Sequence, residues 1–570
     1  MSYIVAISLI LLLWLLVQNK VKPAIAFFGL VLLYYFLGFI KLEAMLANFV
    51  NTALITLLLL LTVSQVLEKT TFIATLANKL FSKSFAKSYL KTGILTSFLS
   101  AFLNNTAVVA SMISVIQKNR FHAPSKLLIP LSYAAILGGT VTLIGTSTNL
   151  IVNGLMIERG LEPFELFDFF YVGIFIVIFG LFTVYFITKF LPDNVMQKEQ
   201  KNYFIQAKVK SNSKLIGKSI KQNGLRNLEY LFLSEIVREG RVLPSVTPDE
   251  VILADDILVF SGDVKEIKIL HRFDGLAFEH SRLELNRNLV ETIISHESTL
   301  VGKKIKESNF RTKFDATVVA VKRGDEKLSG KIGEIVLKTG DSLVLAVGND
   351  FYSRENLKKN FYFTNDFSVK NMLNFKQSFI AVFGFFGVIV LSVLNVVTLV
   401  KGLFVLLAAF VVLGYIDFNE IKRRFPYDLV LIIGSALGIS AVIIDSGLSR
   451  QVSDALQYAF GGFGVYGAFI AVYLLAFILT EIITNNAAAA LAFPVAYSVV
   501  STLDVNMMPF MLAVAYGASA SFMTPYGYQT NLMVSSVGGY GFNDFIKSGV
   551  WLSLVYSLTA LVLIPYFFPF

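Results

Sequence analysis

Two stretches rich in Asn and Thr, each set in the middle of an apolar segment, carry most of the chemistry that this chain offers. Leu103-Asn104-Asn105-Thr106-Ala107 is followed by Gly145-Thr146-Ser147-Thr148-Asn149-Leu150, and Thr484-Asn485-Asn486-Ala487 by Gly527-Tyr528-Gln529-Thr530-Asn531-Leu532. Asn105 and Asn149 are 44 positions apart, and Asn485 and Asn531 are 46 apart. Amide and hydroxyl oxygens, with carbonyls freed where a helix breaks, coordinate a hard monovalent cation; amide and hydroxyl donors, backed by helix N-termini, satisfy an anion. One constellation can hold both. A single intramembrane Asn is read more simply as packing glue between helices, but four clusters paired at nearly equal separation point to a transport site.

The elements that must position these residues lie in a bilayer. The 570 residues are 55% hydrophobic and 15% charged, with a mean hydropathy of +0.67, which is too apolar for a soluble protein of this size. The run Met1 to Gln18 lacks a basic n-region and an A-x-A cleavage site, and a second apolar run follows at once, so it reads as a first span. Spans are expected near 3–17, 23–40, 46–66, 128–157 and 168–191, then near 378–397, 402–416, 428–446, 509–533 and 548–567. Each is nearly long enough, or more, to cross about 30 Å of hydrocarbon. The segments 92–116 and 464–500, broken by Asn and Thr at their centres, read as re-entrant hairpins whose tips face a cavity or a bound solute.

Lys and Arg set the orientation. An outside N-terminus places Lys20, Lys22, Lys69, Lys79, Lys83, Lys87, Lys91, Lys118, Arg120, Lys126, Lys422, Arg423, Arg424 and Lys547 on the cytoplasmic side. Basic cytoplasmic loops also account for the formal charge of +10 without a nucleic-acid partner. The two hairpins then enter from opposite sides, as an inverted repeat demands.

Asn104-Asn105-Thr106 and Thr484-Asn485-Asn486 resemble the paired Ser-Asn-Thr hairpin signatures of the divalent anion:sodium symporter family, within the ion transporter superfamily. The stretch Leu127 to Asn153 is similar to members of that family that carry regulatory inserts. The resemblance covers nearly the whole chain. It implies an elevator-type secondary transporter, a homodimer of inverted repeats. Each hairpin tip and its neighbouring broken helix would form one sodium site, with the substrate between the tips. Cation-binding positions are then Asn104, Asn105, Gly145 and Asn149 in one half, and Thr484, Asn485, Gly527 and Asn531 in the other. Substrate-binding positions are Asn105, Thr106, Ser147, Asn485, Asn486 and Gln529. Dicarboxylate carriers of that family end their broken helices in Pro-Pro-Asn, where this chain has Ser147-Thr148-Asn149 and Gln529-Thr530-Asn531. The added donors favour a compact oxyanion such as sulfate over a dicarboxylate. Glu481, beside the second tip, is a cation or proton ligand or a hydrogen-bond acceptor for the hairpin backbone; the sequence leaves these open.

Residues 199–365 change character, being charged and patterned as short strands. They repeat: Leu215-Ile216-Gly217-Lys218 matches Leu300-Val301-Gly302-Lys303, and Asp256-Ile257-Leu258-Val259 matches Asp341-Ser342-Leu343-Val344, both with a shift of 85. Arg238-Glu239-Gly240 and Arg323-Gly324-Asp325 are hairpin turn signals. These units resemble the C-terminal regulatory modules of potassium-uptake regulators (TrkA-C or RCK-C), which implies an unidentified small ligand. That creates a rival reading, a potassium channel or uptake protein. Against it, the sequence lacks TVGYG, Gly-Tyr at 527–528 is too short to count, and matched broken helices suit alternating access.

An enzyme is not expected. There is no Cys, no Walker motif and no His pair, since His122, His271, His280 and His296 are scattered. The fold class is thus a mainly α-helical polytopic membrane protein, an inverted repeat with two re-entrant hairpins and an inserted pair of small α/β regulatory domains. Expected domains are 1–198, 199–285, 286–365 and 366–570. Expected partners are a small divalent anion, sodium as coupling ion, membrane lipid and a second copy of the chain, with no cofactor. The expected location is the inner (plasma) membrane with the insert in the cytoplasm.

Overall fold

The computed structural model describes residues 1–570 except 19–20, 71–79, 194–203, 226–227, 229–230, 240, 244–248, 263–269, 271, 279–288, 296–297, 325, 329–331, 349, 355, 364–372, 461 and 463. Lys20, Lys79, His271, His280, His296 and the expected module boundaries at 199, 285–286 and 365–366 lie outside the described residues. Two compact units emerge: Met1–Asp193, Ser368–Val534 and Phe542–Phe570 form one, and Asn194–Phe367 with Ser535–Gly541 the other.

The first unit is helical. Its first half runs α1 (Ser2–Gln18), α2 (Pro23–Phe36), α3 (Leu42–Asn48), α4 (Thr52–Leu67), α5 (Phe85–Ser100), α6 (Asn105–Lys118), α7 (Leu128–Gly139), α8 (Ser147–Glu158) and α9 (Phe170–Ile187). The second half runs α10 (Phe375–Val393), α11 (Leu399–Val412), α12 (Phe418–Arg423), α13 (Tyr427–Asp445), α14 (Leu448–Phe460), α15 (Gly464–Ile482), α16 (Asn485–Leu503), α17 (Met508–Ser519), α18 (Gln529–Gly538) and α19 (Phe542–Phe567). Among the described residues seven helices are long and apolar enough to cross a membrane: 42–67, α9, α10, α13, α15, α16 and α19. Ser2–Leu16 of α1, with α2, α11 and α17, are shorter apolar helices. The expected spans 128–157 and 509–533 are each two helices, α7 with α8 and α17 with α18, separated by non-helical backbone.

The halves interlock. Within each half the first hairpin arm packs on the first piece of the broken helix, α5 on α7 and α15 on α17. Between halves α8 packs on both α16 and α17, and α9 lies along α19. The buried core of this unit is built largely from small and branched apolar residues, such as Ala487 to Ala490 and Leu512 to Ala515, which let backbones approach closely. Lys69, almost fully buried, pairs with Glu420 and donates to the Tyr415 carbonyl, while Arg424 pairs with Glu68 at 2.7 Å. These ion pairs tie the end of α4 to α12 and the turns beside it.

The second unit holds two five-stranded antiparallel sheets, ordered β3-β2-β4-β1-β5 and β10-β6-β9-β7-β8. The strands are β1 (Phe204–Val209), β2 (Leu231–Arg238), β3 (Arg241–Val242), β4 (Ile257–Gly262), β5 (Leu276–Phe278), β6 (Leu289–Ile294), β7 (Ala316–Arg323), β8 (Glu326–Leu328), β9 (Ser342–Val347) and β10 (Phe361–Phe363). Every strand of the second sheet begins 85 residues after its counterpart. Even the irregularities repeat, with register shifts at Leu233/Glu235 and Val318/Ala320. Arg238 grips buried Asp256 through two nitrogens, and Arg323 grips buried Asp341 in the same way. Gly217 and Gly302 both take positive φ, the turn role expected of them. Helical content between these strands is small: the α-helices described there are Phe310–Phe314 and Leu357–Asn360.

Candidate functional site

Four helices begin where the sequence breaks. α6 starts at Asn105, α8 at Ser147, α16 at Asn485 and α18 at Gln529. A helix start carries unbonded N–H groups and the positive end of the macrodipole, about half a unit charge. Asn104 caps α6, its side-chain oxygen accepting the Thr106 N–H at 2.9 Å. By contrast Thr146 before α8 and Thr484 before α16 make no side-chain cap, which leaves those N–H groups for another acceptor.

The breaks of the two halves meet crosswise. Asn105 Nδ2 donates to the Tyr528 hydroxyl at 2.8 Å, and Thr106 Oγ1 to Gln529 Oε1 at 3.0 Å. Reciprocally, Ser147 Oγ donates to Asn486 Oδ1 at 2.8 Å. Each hairpin tip is therefore bonded to the broken helix of the opposite half. Of the expected substrate positions, Asn105 and Thr106 come together with Gln529, and Ser147 comes together with Asn486. Asn485 is buried one residue before Asn486, and its Nδ2 is without a partner.

The tips are braced alike. Ser100 Oγ donates to Asn105 Oδ1 at 2.8 Å, and Thr480 Oγ1 lies 2.9 Å from Asn485 Oδ1, each hydroxyl five residues before its Asn. Asn149 and Asn531 pin the broken helices, donating through Nδ2 to the carbonyls of Thr142 and Thr524, each seven residues earlier. Ser132 Oγ reaches Asn531 Oδ1 across the halves at 2.7 Å. Gly139 and Gly145 permit the first break to fold. A Cβ at Gly139 would sit 2.7 Å from Asn105 Nδ2, and one at Gly145 would sit 2.4 Å from the Gly139 carbonyl. The expected cation positions Asn105, Gly145 and Asn149 are thus gathered around one break. Around Gly527 the atoms nearest a built Cβ belong to Ser521, Thr524 and Glu481. Thr484 and Asn104 are exposed, the latter engaged as a cap.

Ser100, Thr480, Ser132, Ser521 and Tyr528 are the contributors that the motif reading passes over. Ser100 and Thr480 carried a usable signal, a hydroxyl at the same distance before each tip Asn. Tyr528 and Ser132 carried none, because their partners lie 423 and 399 positions away. Among the described residues no three His, Asp or Glu side chains gather as a metal site. The donor set is one of neutral oxygens, amides and helix ends, with the Glu481 carboxylate at the second break, which suits a monovalent cation and an anion.

The chain also matches known sequences along most of its length. A family model described as citrate transporter matches residues 10–505. A protein of Chlamydomonas reinhardtii named putative sulfur deprivation response regulator is 32% identical over 496 residues, 82% of this chain and 84% of its own length. An uncharacterized transporter of Synechocystis is 30% identical over 81% of this chain and 79% of its own length. Sodium/sulfate cotransporter 1 of Chlamydomonas reinhardtii is 30% identical over 62% of this chain, though over only 42% of its own length. The crosswise breaks therefore belong to a membrane transporter, and the chain is a member of the citrate transporter family.

Proposed function

We propose that the chain is a secondary active transporter that couples sodium entry to uptake of a small divalent anion, sulfate in preference to dicarboxylates, by an elevator-type movement. The observation that carries this reading is the crosswise bonding of the tips, Thr106 to Gln529 and Ser147 to Asn486. The hydroxyl protons of Thr106 and Ser147 are spent on amide oxygens that an arriving oxyanion would replace, while each amide turns to present its NH2. The uncapped starts of α8 and α16 add backbone donors and positive dipole ends, so no Arg is required to hold the charge. Sodium would be held by Asn105 and Asn149 with the carbonyls of the first break, and by Asn485 and Asn531 with those of the second.

The sodium/sulfate names of the 30% identical Chlamydomonas relatives favour sulfate. The family's description favours citrate and keeps a sodium-coupled di- or tricarboxylate carrier as the second reading. In the same proposal the chain works as a homodimer in the plasma membrane. Residues 1–198 and 366–570 form its inverted repeats, and two TrkA-C-like modules, 199–285 and 286–365, lie in the cytoplasm. Uptake of labelled sulfate, succinate and citrate into proteoliposomes, with and without a sodium gradient, tests the reading. Sulfate uptake that needs the gradient and resists succinate supports it; citrate or succinate uptake with no sulfate uptake replaces it with the second.

A further inference from the structure

The two breaks share a braced tip Asn and a pinning Asn, and two of the positions at which they differ bear on charge. Position 101, four residues before Asn105, is Ala, and position 481, four residues before Asn485, is Glu. Position 139, six before Gly145, is Gly, and position 521, six before Gly527, is Ser. In the first half the Asn105 amide fills the space beside Gly139. In the second, Ser521 Oγ, Thr524 Oγ1 and Glu481 Oε2 lie 2.2, 2.9 and 3.5 Å from where a Gly527 Cβ would stand.

Glu481 Oε1 accepts the N–H groups of Phe522 and Met523, both at 3.0 Å. The equivalent N–H groups of the first half, on Thr140 and Val141, bond the carbonyls of Leu137 and Gly138 instead. A break of this shape thus satisfies its backbone without a carboxylate, and the backbone alone does not explain Glu481. Its other oxygen, Oε2, is buried with no hydrogen-bond partner, and so is Ser521 Oγ. Thr524 lies beside the carboxylate, and its hydroxyl, which accepts the Gly527 N–H at 3.0 Å, keeps its own proton to donate towards Glu481. A carboxylate within the membrane that has only neutral donors around it is costly unless a cation joins it.

We propose that Glu481 Oε2 and Ser521 Oγ, gathered around Gly527, complete the cation site of the second half, making the two cation sites unequal. This rests on the sodium-coupled reading above. The second site holds a carboxylate and takes a hard monovalent cation, sodium, without help from the transported anion. The first has only neutral oxygens, among them the unpartnered Asn149 Oδ1, and its cation's charge is offset only when the anion arrives.

The test is sodium-dependent thermal stabilisation of the purified full-length chain in detergent, with no oxyanion present, sodium chloride being titrated against choline chloride at constant ionic strength. The wild type is expected to be stabilised. Glu481→Gln keeps an oxygen for the Phe522 and Met523 amides but loses the negative charge, and it should shift the sodium midpoint upward by at least about tenfold. Ser521→Ala, which leaves the carboxylate in place, should shift it in the same direction by less, and it carries the test if Glu481→Gln does not fold. A responsive wild type with unshifted midpoints in both variants overturns the unequal sites and leaves the sodium-coupled reading standing. A wild type that does not respond to sodium overturns the proposal as well, and a further absence of sodium-driven uptake in proteoliposomes removes the reading beneath it.

Discussion

Ser147 and Asn486 lie 339 positions apart and share a 2.8 Å hydrogen bond that joins the first residue of α8 to the second residue of α16. One is the start of a broken helix in the first half, the other the tip of a hairpin in the second. The bond therefore places the site at the junction of the halves, where a relative movement of the elements would make or break it.

Substrate choice follows from that position. Ser147 and Gln529 are each the first residue of a helix, where proline is tolerated because its missing N–H is unbonded anyway. Ser147→Pro and Gln529→Pro should fold, lose both the side-chain donor and the N–H of that position, and weaken sulfate binding by about tenfold while weakening any dicarboxylate binding less. Competition binding measures the ratio, and equal losses for both anions would show that these positions only shape the break.

Coupling depends on the tip amides. Asn105→Ala removes the partner of Ser100, Tyr528 and the first break together, and Asn485→Ala removes that of Thr480. Each should abolish sodium-driven uptake in a protein that still elutes as a folded species, because coordination is lost while the surrounding apolar core is kept. Full coupled uptake by both variants refutes the cation sites as assigned.

Gly139 offers a steric test. A methyl group there would stand 2.7 Å from Asn105 Nδ2, so Gly139→Ala should push Asn105 out of place and impair coupling. At Gly29 a Cβ meets nothing within 4 Å, and Gly29→Ala should leave uptake unchanged and stability level or raised by up to about 1 kcal/mol. Equal uptake by the two variants speaks against close packing at the first break.

Much of this architecture is legible in the sequence because it is written in periods and interruptions. The two polar breaks fall where the helices stop, and the shift of 85 found in two short matches recurs in the starts of all five strand pairs of the insert. What escapes is whatever depends on a distant partner or on amphipathicity below the threshold of a span. α14 (Leu448–Phe460) alternates Ser, Arg, Gln and Asp with apolar residues and is not among the expected elements. Tyr528 reads from sequence as an unassigned member of the second break and as part of a rejected filter match, yet its hydroxyl holds Asn105. The breaks inside spans 128–157 and 509–533 are legible as well, because clusters of Gly, Thr, Ser, Gln and Asn interrupt runs that are otherwise apolar.

The insert has its own energetic keystone. Asp256 and Asp341 are fully buried, each held by one Arg. Arg323→Ala leaves Asp341 buried with the Lys338 N–H as its compensating side-chain bond among the described residues, and should destabilise the second module by about 3 kcal/mol. Hydrogen exchange on the full chain should show faster exchange over β6 to β9 and unchanged exchange over α5 to α9. Replacing residues 203–360 with a flexible linker should leave cation-coupled transport intact while altering its rate or its response to a cytoplasmic ligand, since only a ligand that distinguishes transport states shifts them. A changed oligomer mass with unchanged transport per protomer would assign the modules to assembly alone. Loss of all transport in a folded dimer would contradict the view that the helical unit carries the function alone.

In the proposed mechanism one crosswise site binds sodium and a compact oxyanion together. The most direct measurement is uptake of labelled sulfate by the purified chain in proteoliposomes, driven by an inward sodium gradient. The account predicts uptake that rises above the external concentration, collapses when the gradient is dissipated, and disappears in Asn105→Ala and Asn485→Ala. Concentrative sulfate uptake that persists with choline replacing sodium would contradict it.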